Sequence, residues 1–342
     1  MELNRSDPSA PGITRRRHGR GFRLLDADGR PVPPSTAARV EDLVIPPAWR
    51  DVWICPDPDG HIQAVGTDSA GRRQYLYHPR WREQRDREKH DRVLDFAEAL
   101  PAIRAQIAEH LSGRGLTRDR VLAAAVRLID LGFFRAGGEE YAEENGTFGM
   151  ATVLREHVTC RRNEMIFEYP AKGSKERYQA VAEESVCRVV SALMRRRDDG
   201  PELMAYRLPD GGWGDVTSAD INAYLREISG GGFTAKDFRT WHATVLAAVG
   251  LAVSMQAATG DPARRRAVGR VVREVAEYLG NTPAVARASY IDSRVITWYE
   301  QGVTIAPALT ALGGEADFGE LATQGEVERA VVDMLRRPAD GG

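Results

Sequence analysis

The stretch "DVWICPDPDGHIQAVGTDSAGRRQYLYH", residues 51–78, decides the fold. β-forming residues fill 52–55, a Pro- and Gly-containing turn covers 56–60, alternation returns over 61–65, and a second turn leads to 74–78. Short alternating runs with turn punctuation predict a small antiparallel sheet. Upstream, "GFRLLDADGRPVPP" (21–34) reads as a strand, an Asp-Gly turn and a second strand. The first dozen residues are polar, contain proline, and read as disordered.

Downstream of Trp81 the period changes. "RVLDFAEALPAIRAQIAEHL" (92–111) places Val93, Leu94, Phe96, Leu100, Ile103, Ile107 and Leu111 at helical spacing, with Pro101 marking a break or a new start. Further helices are predicted over 119–134, 180–197, 217–228, 237–253 and 263–279, with Thr217 or Ser218 as an N-cap. "EMIFEYPAKGSKERYQAV" (164–181) alternates on both sides of a Lys172-Gly-Ser-Lys tip, a hairpin signal. An amphipathic segment at 326–336 reads as a surface helix. The expected fold class is α+β, with an N-terminal β-rich domain over 1–86 and a mostly α-helical domain over 87–342 that contains a β-hairpin. A chain of 342 residues exceeds the size at which one core usually stops growing, which supports two domains.

Composition narrows the function classes. The chain is 42% hydrophobic and 28% charged, as in globular proteins. No apolar run approaches the ~20 residues of a membrane helix, and "MELNRSDPSAPG" lacks a signal peptide's basic start and apolar core. The expectation is a cytoplasmic protein without a membrane partner. Cys55, Cys160 and Cys187 are widely spaced and show no zinc or redox pairing. No metal cluster is visible. The net charge of −2 hides a gradient: residues 72–92 hold eight basic and four acidic side chains, residues 313–342 three basic and seven acidic. Segregated charge of this kind can present one basic face to a polyanion.

Four segments carry a cation or polar group beside glycine or a helix start. They are "FFRAGGEEYAEENGTFGM" around Arg135, the hairpin tip around Lys172, "KDFRTWHAT" around Arg239, and "LGNTPAVARASYID" with Asn281 and Tyr290. Arginines in partly apolar surroundings need an anion, and a phosphate suits the guanidinium fork. Taken singly, each has a plainer reading. Arg135 has Glu139 or Glu140 at hand as an ion-pair mate, Lys172 fits a solvated turn, and Tyr290 fits a packing ring. Nine residues of continuous helix would separate Asn281 from Tyr290 by about 13 Å. For both to act on one phosphate, the chain must bend between them.

In this order, the motifs resemble those of the type IB DNA topoisomerases of the compact bacterial and poxvirus kind, and the match covers nearly the whole chain. "GTDSAGRRQYLYH" resembles that family's DNA-contacting strand, and the four segments above resemble its first-arginine, hairpin-lysine, Lys-x-x-Arg-Thr and nucleophile motifs. The resemblance implies a tyrosine-recombinase-like catalytic domain behind a DNA-clamping N-terminal domain. It implies that Tyr290 attacks a DNA phosphodiester, forming a 3′-phosphotyrosyl link and releasing a 5′-hydroxyl. Arg135 and Arg239 would clamp the phosphate, Lys172 would protonate the leaving oxygen, and Lys236 would assist. Asn281 stands where many relatives have histidine; its amide can donate a hydrogen bond but supplies neither charge nor proton. Arg72, Arg73, Gln74, Tyr75 and Tyr77 would contact duplex DNA. Strand alternation puts Gln74 on the face opposite Tyr75 and Tyr77, whose default place is the core. Gln74 and Tyr75 are favoured for contact. The implied enzyme is a bacterial, nucleoid-associated monomer that relaxes DNA without ATP, metal or other cofactor. A tyrosine recombinase shares this chemistry, but usually has histidine at the position of Lys236 and a helical N-terminal half. A DNA-binding protein without catalysis is the remaining alternative.

Overall fold

The computed structural model describes residues 3–337 except 20, 133, 139–141, 143–145, 162–163, 172–174, 199, 256, 259 and 313–323. The chain divides into two compact units, Met1–Asp91 and Arg92–Gly342.

The first unit is built on a five-stranded antiparallel sheet of order β2-β1-β3-β4-β5, from β1 (Ile13–His18), β2 (Gly21–Leu25), β3 (Arg50–Ile54), β4 (Ile62–Thr67) and β5 (Arg73–Tyr77). One face carries Ile13, Val52, Ile54 and Ala64 into a small core closed by Val40 of helix α1 (Pro34–Asp42), with Leu76 of β5 packed beside it. The sheet predicted from 51–78 is therefore present. Its other end differs from the expectation. β2 pairs with β1 and not with 30–34, where only a bridge between Leu25 and Pro31 remains. The reason is proline: Pro33 and Pro34 lack the N–H a ladder needs, and Pro34 opens α1. Strand β1 gives no alternation signal because in "ITRRRH" only Ile13 is buried. Nor are the first residues loose: Asn4 N donates to Asp59 O at 3.0 Å, and His61 N donates to Asn4 O at 2.9 Å.

The second unit is mostly helical. From Arg92 onward it contains helix α2 (Pro79–Ser112), which runs unbroken through Pro101, its face of Phe96, Leu100, Ile103 and Ile107 fully packed on both sides of the proline. That packing overrides the missing backbone bond. Helix α3 (Arg118–Gly132) is the most enclosed element, with Val121 to Val126 unexposed. Around it lie α4 (Glu184–Met194), α5 (Ser218–Ser229, capped by Thr217), α6 (Ala235–Met255), α7 (Asp261–Leu279), α8 (Pro283–Ser289), α9 (Ser293–Glu300), α10 (Ala306–Leu312) and α11 (Glu326–Leu335). Strands β6 (Val158–Arg161), β7 (Glu164–Ala171) and β8 (Lys175–Ala182) form a second sheet, and β9 (Ala205–Arg207) pairs with β10 (Trp213–Asp215). The predicted hairpin is β7–β8, in register from Glu164↔Ala182 to Ala171↔Lys175. Among the described residues no helix is long and apolar enough to cross a membrane.

Helix α11 is not the surface helix its sequence suggested. Val327, Val331, Met334 and Leu335 are buried, and Glu328 accepts from Arg104 Nη1 at 2.6 Å and from Trp241 Nε1 at 2.8 Å. Arg104 also donates to Asp130 on α3, which His242 of α6 meets at 3.1 Å. Burial opposes ionisation of Asp130, yet the bonds to His242 and Arg104 hold it well below the usual carboxylate range. This network joins α2, α3, α6 and α11 beneath the segment that carries Arg239.

Candidate active site

Tyr290 sits where the chain has just turned back on itself. Helix α7 ends at Leu279, and Gly280 takes a left-handed conformation (φ 62°) that lacks a side-chain penalty only for glycine. Thr282 then caps α8, with Pro283 opening it. The bend required between Asn281 and Tyr290 is thus present, and the two side chains approach each other. Tyr290 N donates to Ala286 O at 3.1 Å, and its carbonyl accepts from Thr244 Oγ1 at 3.3 Å. Thr244 and Arg239 both belong to α6, so one helix fixes the backbone of Tyr290 and places a guanidinium over its ring, 5.4 Å from the centroid.

Arg135 is held by a different device. Phe134, 1% exposed, plugs into the β7 face, meeting Phe167 edge-on with centroids 4.9 Å apart. The following loop lies against 149–151: Met150 N donates to Arg135 O at 2.8 Å and Ala151 N to Ala136 O at 2.7 Å. Here Gly137 and Gly149 touch through their backbones; a Cβ on Gly149 would lie 2.5 Å from Gly137 Cα. The glycines of "RAGG…FGM" are what allow this approach.

Three guanidiniums converge on the end of α7. Arg177 Nη1 donates to Tyr278 O at 2.7 Å, Arg239 Nη2 to Leu279 O at 2.8 Å, and Arg135 Nη2 makes a longer contact with Gly280 O at 3.4 Å. Carbonyls at a helix C-terminus lack intrahelical partners and carry the negative end of its dipole. They act as a weak stand-in for an anion. Arg135 Nη2 also donates to Asn281 Oδ1 in a short hydrogen bond, which fixes the amide so that Nδ2 points elsewhere. Asn281 Nδ2 is buried without a well-formed hydrogen bond, and lies close enough to the Tyr290 oxygen to favour its anion.

The electrostatics follow. Burial pushes the Tyr290 hydroxyl up, but the charges of Arg239 and Arg135, with the N–H groups of Arg239 and Asn281 close by, bring it below the usual phenol value. Burial and the like charge of Arg135 lower Arg239 to about 10, while the Tyr290 oxygen favours its cation. A cleft of about 380 Å³ opens onto this cluster, lined by Arg135, Arg177 and Arg239 together with Tyr169, Glu176 and Glu277. Its three guanidiniums outnumber its two carboxylates, and Tyr290 and Asn281 lie outside its lining.

Lys172 lies outside the described residues, as do Glu139 and Glu140. Lys236 is exposed in the first turn of α6 and does not line the cleft. In the first unit, β5 is an edge strand whose exposed face carries Arg73, Tyr75 and Tyr77; the two tyrosine rings stack 6.1 Å apart. Tyr75 and Tyr77 are 40% and 37% exposed, so this face is not core. Gln74 lies on the opposite face and donates to Asp68 Oδ2 at 2.9 Å, and Arg72 pairs with the same carboxylate at 3.0 Å. Arg177, Tyr169 and Thr244 escaped sequence reading. A signal for Arg177 exists: counting back in twos from buried Val181 puts it on the inward face of β8. Among the described residues no group of three His, Cys, Asp or Glu side chains is arranged to hold a metal ion.

The family model described as the eukaryotic DNA topoisomerase I catalytic core matches residues 78–302, and that of the bacterial DNA topoisomerase IB N-terminal domain matches residues 21–68. The chain is similar to DNA topoisomerase 1B of Acanthamoeba polyphaga mimivirus, 27% identical over 270 residues that cover 77% of this chain and 79% of the relative. It is also similar to DNA topoisomerase 1B of Vaccinia virus (strain Copenhagen), 22% identical over 234 residues, or 68% and 70% of the two chains. The stretch 78–302 contains Arg135, Arg239, Asn281 and Tyr290, and with more than half of its length matched, the chain belongs to the type IB DNA topoisomerase family, whose members are isomerases.

Proposed function

We propose that the protein relaxes supercoiled duplex DNA through a transient single-strand break, with Tyr290 as the nucleophile. The Tyr290 oxygen, as the anion, attacks a backbone phosphorus. The P–O5′ bond breaks, its electron pair stays on O5′, and Lys172 supplies the proton that makes the 5′-hydroxyl. The strand is left as a 3′-phosphotyrosyl ester, the duplex rotates, and the 5′-hydroxyl attacks in reverse to reseal the strand. Arg135 and Arg239 bind the non-bridging oxygens, and Asn281 Nδ2 adds a hydrogen bond without charge. Fixed donors aimed at developing charge contribute about 10²–10³-fold each. The ester retains the energy of the broken bond, so resealing needs no ATP, and the guanidiniums supply the charge that a metal would otherwise provide.

One observation carries this reading: Arg239 lies over the Tyr290 ring at 5.4 Å, in a cluster where Arg135 and Asn281 also favour the phenolate. Arg73, Tyr75 and Tyr77 on the exposed face of β5 are the DNA contacts this reading assigns to the first unit. A site assembled within one chain supports action as a monomer. Acting on duplex DNA, the protein would work on the nucleoid in a bacterial cytoplasm.

The test is covalent trapping on a duplex whose released fragment, the one downstream of the break that carries the 5′-hydroxyl, is short enough to dissociate. The parent is expected to stay attached to the DNA 3′ end after denaturation, and Tyr290→Phe to leave none attached. Attachment that persists in Tyr290→Phe, or that forms at a 5′ end, would overturn the assignment.

A further inference from the structure

A hydroxyl from α6 spans the turn that carries Tyr290. Thr244 is fully buried; its Oγ1 accepts from Asp292 N at 3.1 Å, and its proton faces two carbonyls, Thr240 O at 2.9 Å and Tyr290 O at 3.3 Å. The bond to Thr240, four residues back, is the ordinary one for a threonine inside a helix and satisfies the donor by itself. The contacts with residues 290 and 292 go beyond it, gripping the backbone at the phenol-bearing residue and two residues past it.

Other attachments of this turn lead elsewhere. Tyr290 N and Ile291 N both donate to Ala286 O, at 3.1 and 3.0 Å, which ties the turn to α8. Asp292, 1% exposed, accepts from Arg294 N at 2.9 Å and from Arg294 Nη2 at 2.7 Å, which ties it to α9. These bonds do not reach α6, the helix that places Arg239 over the Tyr290 ring five residues before Thr244. Ala248 and Leu251 of α6 share an apolar core with Val295 and Tyr299 of α9. That packing holds the helices together but is non-directional; the bonds of Thr244 are what specify angle and register.

We infer that Thr244 is a positioning residue whose hydroxyl sets the backbone of the nucleophile against Arg239, so that phenol and guanidinium meet at the scissile phosphate. The inference rests on the reading of Tyr290 as the nucleophile. Thr244 is 0% exposed and does not line the cleft, so its loss should spare DNA affinity and act on the step that needs Tyr290 in register. The groups that favour the phenolate come from three directions: Arg239 from α6, Arg135 from the loop after α3, and Asn281 from the segment before α8. Arg239 has the largest effect of the three, so a turn that drifts from α6 loses most of what lowers the Tyr290 pKa.

Thr244→Val keeps the shape of the side chain and removes the hydroxyl, while Thr244→Ser keeps the hydroxyl. Single-turnover cleavage at saturating duplex is measured across pH, with DNA affinity measured alongside. Thr244→Val is expected to lose about tenfold or more near neutrality, within the roughly 10²-fold that a misplacement of about 1 Å can cost. Its pH–rate midpoint should move up and its affinity should match the parent's. Thr244→Ser should keep the parent's rate and midpoint. Thr244→Ala against Thr244→Ser makes the same comparison without the methyl group, should the valine variant fold poorly. A merely structural hydroxyl would lower the Tm of Thr244→Val and leave the rate and midpoint of the folded protein unchanged. That result, equal losses in the valine and serine variants, or a lost rate with an unshifted midpoint would each overturn the inference. Tyr290→Phe, run alongside, separates it from the reading beneath: cleavage that survives this substitution overturns the nucleophile, and the role of Thr244 with it.

Discussion

The phenol of Tyr290 is brought toward its anion by the cations beside it. Arg239 carries the largest share after burial: removing its charge leaves the desolvation that raises the Tyr290 pKa and takes away the strongest effect that lowers it. Cleavage that needs the phenolate rises with pH up to that pKa. In Arg239→Ala the pKa moves up, so the midpoint of the pH–rate curve should shift to higher pH, with a loss of at least about 10²-fold near neutrality. Single-turnover rates across pH check this; a lower midpoint, or an unshifted one, would show that Arg239 does not act on the nucleophile. Tyr290, Asn281, Arg135 and Arg239 stood out in the sequence only as an ordered set resembling one family's motifs; singly, each had a plainer reading. Arg177 did not, since a lone arginine on an alternating strand looks like a solvated one until Gly132 and Tyr278 are seen beside it.

At the scale of elements, the site is a meeting of ends: the end of α3, the end of α7, the start of α6 and the loop at 149–151. Helix ends offer unpaired backbone groups and turn residues, so a short change of direction brings distant side chains together. The contact of Gly137 with Gly149 fixes the Arg135 end. Gly149→Ala should force these backbones apart, costing about 1–3 kcal/mol as overpacking does, and should slow cleavage more than it weakens DNA binding. Thermal unfolding and single-turnover cleavage measure both; an unchanged Tm and rate would mean the loop has room to shift. Elements with a strong period, such as α3, α7 and the β7–β8 hairpin, were readable from sequence. Strand β1 was hidden by its run of arginines, and α1 by the two prolines that precede and open it. Helix α11 was legible as a helix, but its docking depends on Glu328 meeting Arg104 and Trp241, partners more than eighty residues away in sequence.

The whole chain carries its basic surplus in residues 72–92 and its acidic surplus in 313–342. In the first unit, Arg72 is already neutralised by Asp68 and Arg73 is exposed beside the stacked tyrosines. Arg73→Ala should therefore weaken DNA binding and reduce the slope of log affinity against log salt by about one, with little change for Arg72→Ala. The reverse order would reassign the phosphate contact. Residues 313–323 and 338–342 lie outside the described structure; the rest of the acidic segment is largely α11, docked into the helical unit. The most direct test of the whole is relaxation of supercoiled plasmid in EDTA without ATP, comparing the parent with Tyr290→Phe. Relaxation by the parent that disappears in a folded, DNA-binding Tyr290→Phe is the expected result. Relaxation that survives the substitution, or that requires ATP or a divalent metal, would contradict a tyrosine nucleophile activated by Arg239, Arg135 and Asn281.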